Sequence, residues 1–142
     1  MATWDDVARI ALALPETSEG VSRENRHWRV KDKSFVWERP LRKTDLAALG
    51  DAAPDGPILG ARVEHEGAKR ALIETSPEIY FTTPHFDGYP AILARLEVID
   101  VEELAELITE AWLNRAPKRL ADAFLAGSDG DAGVAGEGDG AP

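Results

Sequence analysis

Two runs of alternating residues, His27-Trp28-Arg29-Val30-Lys31 and Ser34-Phe35-Val36-Trp37, lie two residues apart. Side chains on a β-strand point to opposite faces in turn, so this spacing predicts a β-hairpin. Asp32-Lys33 is the expected turn, although it lacks the glycine that tight hairpins favour. Trp28 and Val30 then share one face, with Phe35 and Trp37 supplying apolar surface on the partner strand. Arg29 and Lys31 point the other way.

The remaining elements follow from their own periods and stop signals. Thr3 caps a helix over Trp4–Leu14, with Asp6 in the capping-box position and Val7, Ile10, Ala11 and Leu14 as its apolar stripe. Pro15 ends it. Glu16–Arg26 has no period and reads as a loop. Asp45–Leu49 fits a short helical turn, Ile58–Val63 a third strand, and Glu66–Thr75 a helix with Ala68, Ala71 and Leu72 on one side. Ile79–Thr82 and Ala91–Leu96 read as strands, the second facing inward through Ile92, Ala94 and Leu96. Asp100 and Glu103 open the clearest helix, in which Val101, Leu104, Ile108, Ala111 and Trp112 keep helical spacing. Its acidic residues, Glu102, Glu103, Glu106 and Glu110, form a wet face. Pro117 starts a final helix docked by Leu120, Ala121 and Phe124. This order predicts an α+β fold: one compact domain over residues 1–126, with a largely antiparallel sheet packed by N-terminal and C-terminal helices.

From Gly127 the chain changes character. Residues 127–142 hold six of the twelve glycines and four acidic residues, with no basic residue. Such a segment buries too little to offset the entropy of ordering, so a disordered acidic tail is expected. The whole chain carries a net charge of −10. Arg23–Lys43 runs against that balance, with eight basic residues to three acidic ones. A local net charge of +5 in an acidic protein points to an anionic partner. The absence of cysteine excludes disulfides and thiolate chemistry. The first residues show neither a basic leader nor an apolar signal core, and no apolar run reaches membrane-spanning length, so a soluble cytoplasmic protein is expected.

Candidate chemistry sits in three places. On the basic hairpin and its flanks, Arg26, Arg29, Lys31, Lys33, Arg42 and Lys43 are placed to grip phosphates, and Trp28 or Trp37 to stack on a base. Lys118 and Arg119 lie in the first turn of the last helix, where cations are disfavoured by up to ~1 kcal/mol and therefore need an anionic partner. The stretch from Thr82 to Pro90 forms a stiff loop, shaped by Pro84, Pro90 and an Asp87-Gly88 turn. There His85, Asp87 and Tyr89 can hydrogen-bond a ligand. Each feature also has a purely structural explanation: a solvated strand face, an ion pair within the protein, and a loop whose aromatics plug the core edge. The three histidines, His27, His65 and His85, lack metal-ligand spacing, and no metal or other cofactor is expected. The sequence holds no Walker A, GxGxxG, GxSxG or HExxH signature.

Several of these segments together resemble the MmcQ/YjbR family. They are Trp4-Asp5-Asp6-Val7 with Ala11–Glu16, the Trp28–Val36 hairpin, the run Tyr80-Phe81-Thr82-Thr83-Pro84-His85-Phe86-Asp87-Gly88-Tyr89-Pro90, and Ala111-Trp112 with Ala116-Pro117-Lys118-Arg119-Leu120. The resemblance reaches to about Phe124. It implies a compact YjbR-like fold of the double-wing type, related in outline to secretion-chaperone-like folds, and DNA as the ligand. It brings no catalytic residues. The expectation is therefore a non-catalytic DNA-binding protein. The alternative is an adaptor that takes a small ligand or a protein partner at the Thr82–Pro90 loop. An enzyme using His85 as acid or base, oriented by Asp87, ranks behind both, since no nucleophile or oxyanion feature accompanies them.

Overall fold

The computed structural model describes residues 2–133, with side-chain surroundings for residues 2–127. The first helix, α1 (Trp4–Leu12), opens with a complete capping box: Thr3 Oγ1 accepts from the Asp6 amide, and the Asp6 carboxylate accepts from the Thr3 amide. It stops at Leu12, a little short of the expected end, and Leu14 still reaches the core.

The segment expected to be a loop forms a strand instead. β1 (Thr17–Ser22) pairs antiparallel with β2 (Asn25–Val30), which in turn pairs with β3 (Lys33–Glu38). The β1–β2 turn has two residues, Arg23 and Glu24, both with positive φ (53° and 69°). That geometry suits a tight hairpin, but neither residue is the glycine that would announce it. β1 is an edge strand with no buried residue, so its pairing rests on backbone hydrogen bonds and leaves no side-chain period to read. The second turn is also one residue earlier than expected, with Lys31-Asp32 between Val30 and Lys33 and Lys31 at φ 55°.

A bulge corrects the facing of the aromatic residues. Trp28 pairs with Val36 while Arg29 pairs with Ser34, which leaves Phe35 as an extra residue. Phe35 and Val36 are therefore both fully buried on the inner face. Trp37, expected to share a face with Phe35, passes to the outer face.

The remaining elements are α2 (Lys43–Leu49), β4 (Ile58–Arg62), α3 (Glu66–Thr75), β5 (Tyr80–Phe81), β6 (Ala91–Arg95), α4 (Val101–Arg115) and α5 (Lys118–Gly133). The six strands are ordered β1-β2-β3-β4-β6-β5, with every neighbouring pair antiparallel. Helix α5 continues past Gly127; the rest of the predicted tail, 134–142, lies outside the described residues. His65 caps α3 through Nδ1, which accepts from the Ala68 amide at 3.0 Å.

The larger core lies between the inner sheet face and α1 and α4, where Trp28, Phe35, Leu59, Ile92, Ile108 and Trp112 are fully buried. Trp28 stacks beside Trp4 and donates from Nε1 to Glu19 at 3.0 Å. Trp112 donates to the Pro15 carbonyl at 3.1 Å and packs against Phe124 of α5. A smaller core sits on the outer face, where Ile58, Phe86, Ala91 and Leu93 meet Trp37, Leu41 and Phe81. Both faces of β6 are thus covered, which is why Ala91–Ala94 are all buried.

Two devices fix the outer face. One is a row across the sheet, with Gly20 opposite His27, His27 opposite Trp37, and Trp37 opposite Gly60. The His27 and Trp37 rings lie over the two glycines, and a Cβ added at either would run into the ring beside it. The other is a buried ion pair. Arg39 Nη1 lies 2.9 Å from Asp45 Oδ2, and the two side chains are 6% and 1% exposed. The same carboxylate oxygen accepts from the Arg42 amide at 2.8 Å, closing the start of α2. Burial pushes the Asp45 carboxyl up, but the Arg42 amide and the Arg39 guanidinium outweigh it and hold the carboxyl below its ordinary range.

Asp45→Asn should therefore destabilise the fold by about 3–5 kcal/mol at neutral pH, because Arg39 is left charged and buried. The folded pKa of Asp45 is depressed, so its contribution is present above the unfolded carboxylate value of about 3.9 and is lost as pH falls through the folded value. Urea unfolding from pH 7 to pH 3 should show the gap between wild type and Asp45→Asn narrowing in the acid range. Gly60→Ala should lose about 1–3 kcal/mol in the wild-type background through overpacking against Trp37. A double-mutant cycle with Trp37→Ala should recover most of that loss.

Candidate functional site

The outer sheet face and the Thr82–Pro90 loop enclose a cleft of about 830 Å³. His27 and Trp37 supply its sheet side, with Ser34 beside them. The β1–β2 turn contributes Ser22, Arg23 and Asn25, and the chain after β3 contributes Arg39, Pro40 and Arg42. Arg26, Glu38, His85, Phe86, Asp87, Gly88 and Tyr89 complete the lining. The two features that seemed separate in the sequence, a basic ribbon and a stiff loop, therefore border one cavity.

The loop is held from below at several points. Pro84–Phe86 forms one turn of 3₁₀ helix, and Phe86 is buried. Asp87 (φ −59°, ψ 128°) and Gly88 (φ 76°) make a type II turn closed by the Tyr89 amide on the Phe86 carbonyl at 3.0 Å. Position 88 needs a positive φ, which explains the glycine. Lys69 of α3, 4% exposed, donates from Nζ to that same Phe86 carbonyl at 2.8 Å and pairs with Glu66 at 3.0 Å. The Arg39 guanidinium lies over the Phe86 ring, 5.2 Å from its centroid. Arg62 of β4 donates to the Pro90 carbonyl and to the Tyr89 hydroxyl, each at 3.1 Å.

The cations predicted for nucleic-acid contact divide among different surroundings. Arg26 and Arg42 border the cleft, joined by Arg23 and Arg39. Arg26 is engaged with Glu19 at 3.1 Å and lies over the Trp28 ring, and Arg39 is engaged with Asp45. Arg23 and Arg42 make no ion pair among the described residues. Arg29 is half-buried on β2, outside the cleft lining, and Lys33 and Lys43 are exposed. Lys31 pairs with Glu16 at 2.6 Å, and Arg119 adds its charge near the same carboxyl; the Lys31 hydrogen bond and these two charges hold Glu16 below its ordinary range. Lys118 pairs with Asp122 one helical turn away, at 2.8 Å, which answers the unfavourable placement noted in the sequence.

Of the predicted ligand contacts, His85, Asp87 and Tyr89 all line the cleft and are exposed. Trp28 requires correction. Its ring is fully buried in the inner core and its Nε1 is occupied by Glu19, so it has no face to offer a ligand. The bulge hands that position to Trp37. Sequence reasoning missed His27, Arg23 and the two anchors, Arg39 and Lys69. His27 was hidden by register, since only the earlier turn and the bulge bring it opposite Trp37. The anchors were hidden because their partners lie on other elements.

The protein was compared with known sequences and structures. The YjbR family model matches residues 12–114. Uncharacterized proteins of Mycobacterium tuberculosis H37Rv and Mycobacterium bovis are each 59% identical over 131 residues, covering 90% of this chain and 99% of theirs. The crystal structure of the Deinococcus radiodurans protein DR2400, of the domain family DUF419, superposes with a TM-score of 0.60 at 19% identity. That match covers 97% of this chain and 94% of the other, and it carries the fold. With the family model spanning most of its length, this chain belongs to the YjbR family, as its hairpin and Tyr80–Pro90 motifs implied.

Proposed function

We propose that the chain is a non-catalytic binding protein whose outer cleft takes a nucleotide unit, either free or at an exposed single-stranded stretch of DNA. The observation that carries this reading is the Trp37 ring, seated on Gly60 in a preformed cleft with two arginines, Arg23 and Arg42, unpaired among the described residues at its border. An aromatic face stacks on any base, and two guanidinium groups suit one or two phosphates. The volume is that of a small-molecule site. Duplex DNA is less well served, because Lys31, Lys118 and Arg26 are already neutralised by carboxylates. His85 and Asp87 both line the cleft but make no hydrogen bond or ion pair with each other among the described residues, so this geometry adds nothing to the acid–base alternative.

Fluorescence anisotropy with a labelled single-stranded oligonucleotide, competed by free nucleotide, tests this reading. Binding at low ionic strength should weaken with salt at a log–log slope of about 1.4, as expected for two single-strand phosphate contacts. Trp37→Ala should cost about 1–3 kcal/mol of affinity. Lys118→Ala should change nothing. No binding of oligonucleotide or nucleotide at low salt would overturn the proposal, and tighter binding of duplex than of single strand would replace it with the surface-ribbon reading. Competition by free nucleotide separates the two sources of the ligand.

A further inference from the structure

On the other side of the sheet, α3 and α4 do not close on each other. Between them runs a groove of about 420 Å³ with an apolar floor of Val63, Ala68, Leu72 and Leu107, and with the Tyr80 ring at its base. The stripe Ala68, Ala71 and Leu72, which the sequence assigns to a core face of α3, is only partly covered: Ala71 is exposed and the other two are half-buried. Along one wall stand Glu103, Glu106 and Glu110 of α4, and Glu64 lies across from them. Arg62 is the cation in the lining. The Tyr80 hydroxyl donates to Glu103 Oε2 at 2.6 Å, which fixes that carboxylate at the floor. Glu106 and Glu110 have no ion-pair partner among the described residues.

Spacing and chemistry select the occupant. Residues 103, 106 and 110 follow one face of a helix at rises of about 4.5 and 6 Å, so their carboxylates span roughly 10 Å. That spread does not suit a single ion, and no three acidic or histidine side chains among the described residues converge as metal ligands. It suits a chain of positive charges separated by methylene spacers, whose apolar stretches need a greasy floor. We propose that the α3–α4 groove binds a linear aliphatic polyamine, with its ammonium groups on Glu103, Glu106 and Glu110 and its methylenes on Leu72, Leu107 and Ala68. The proposal concerns a different surface from the nucleotide cleft and stands independently of it.

Isothermal titration of the full chain with spermidine, a triamine with three- and four-methylene spacers, tests the inference. One spermidine per chain should bind, and the double variant Glu106→Gln/Glu110→Gln should bind about tenfold more weakly, with the unliganded melting temperature preserved because both side chains are exposed. Ala71→Phe, which fills the groove without changing charge, should weaken binding to a similar degree. Glu102→Gln, on the same helix but outside the groove, should have no effect. Equal loss from Glu102→Gln, or equally tight binding of magnesium, would reduce the effect to general counterion attraction and overturn the proposal. A lysine-rich peptide that binds more tightly than spermidine and is blocked by Ala71→Phe would also overturn it, in favour of a protein-docking groove.

Discussion

The Phe86 side chain and carbonyl are gripped by two buried cations, and the outer half of the molecule depends on that grip. Arg39 lies over the ring and Lys69 takes the carbonyl oxygen. Burying either charge alone would be prohibitive, and each brings its own anion: Asp45 for Arg39, Glu66 for Lys69. The arrangement ties two distant segments, the β3–α2 connection and α3, to a single residue of the 3₁₀ turn. Its effect is to fix the loop in advance of any ligand. A loop already ordered loses little entropy on binding, so a modest set of contacts can yield useful affinity.

The bulge at Phe35 has a second consequence, one that no pairwise contact reveals. Because successive strand residues face opposite ways, one extra residue moves everything beyond it to the other face. Without it Trp37 would join the inner core. With it, the inner face gains two adjacent buried residues, Phe35 and Val36, and the outer face gains an indole. Gly60 then becomes necessary, since any larger residue there would occupy the space of the ring. Gly20 stands in the same relation to His27. The two glycines and two heterocycles form one unit, spread over four strands.

What could be read in the sequence was what is local. The Thr3–Asp6 capping box, the Asp100 cap, the α4 stripe and the Asp87-Gly88 turn involve residues within a few positions of one another, and the structure reproduces them; the second expected capping box is not formed, because the Glu103 carboxylate turns to the Tyr80 hydroxyl instead, and Ala71 of the expected α3 stripe is exposed. The α3 boundaries, Glu66–Thr75, agree to the residue. What failed was non-local or carried by backbone. β1 has no buried residue, and its turn uses Arg23 and Glu24 at positive φ where glycine or asparagine would have signalled it. The sequence left Trp28 and Trp37 both open as stacking residues, and Trp28 failed for a similar reason, because an alternating pattern does not show where the alternation slips. Of the candidate site, His85, Asp87 and Tyr89 were legible because the loop is built from turn-forming residues. Arg39 and Lys69 were not, because nothing near them in the chain names Asp45 or Phe86 as a partner.

The net charge of −10 is not spread uniformly over the fold. The α3–α4 side gathers Glu64, Glu103, Glu106 and Glu110, while the outer cleft is bordered by Arg23 and Arg42, without ion-pair partners among the described residues. An anion in dilute salt is therefore repelled by one side of the sheet and drawn to the other, over a range set by a screening length of about 10 Å at 0.1 M. The favourable region is small. Glu38 and Asp87 line the same cleft, and Glu19 lies beside Arg26. A rigid duplex lying across this surface would bring its further phosphates against those carboxylates. A single nucleotide, or one unit of a flexible strand, can seat its base on Trp37 and its phosphate on an arginine without extending that far. The size of the cationic patch, more than its sign, sets the scale of the ligand proposed for it.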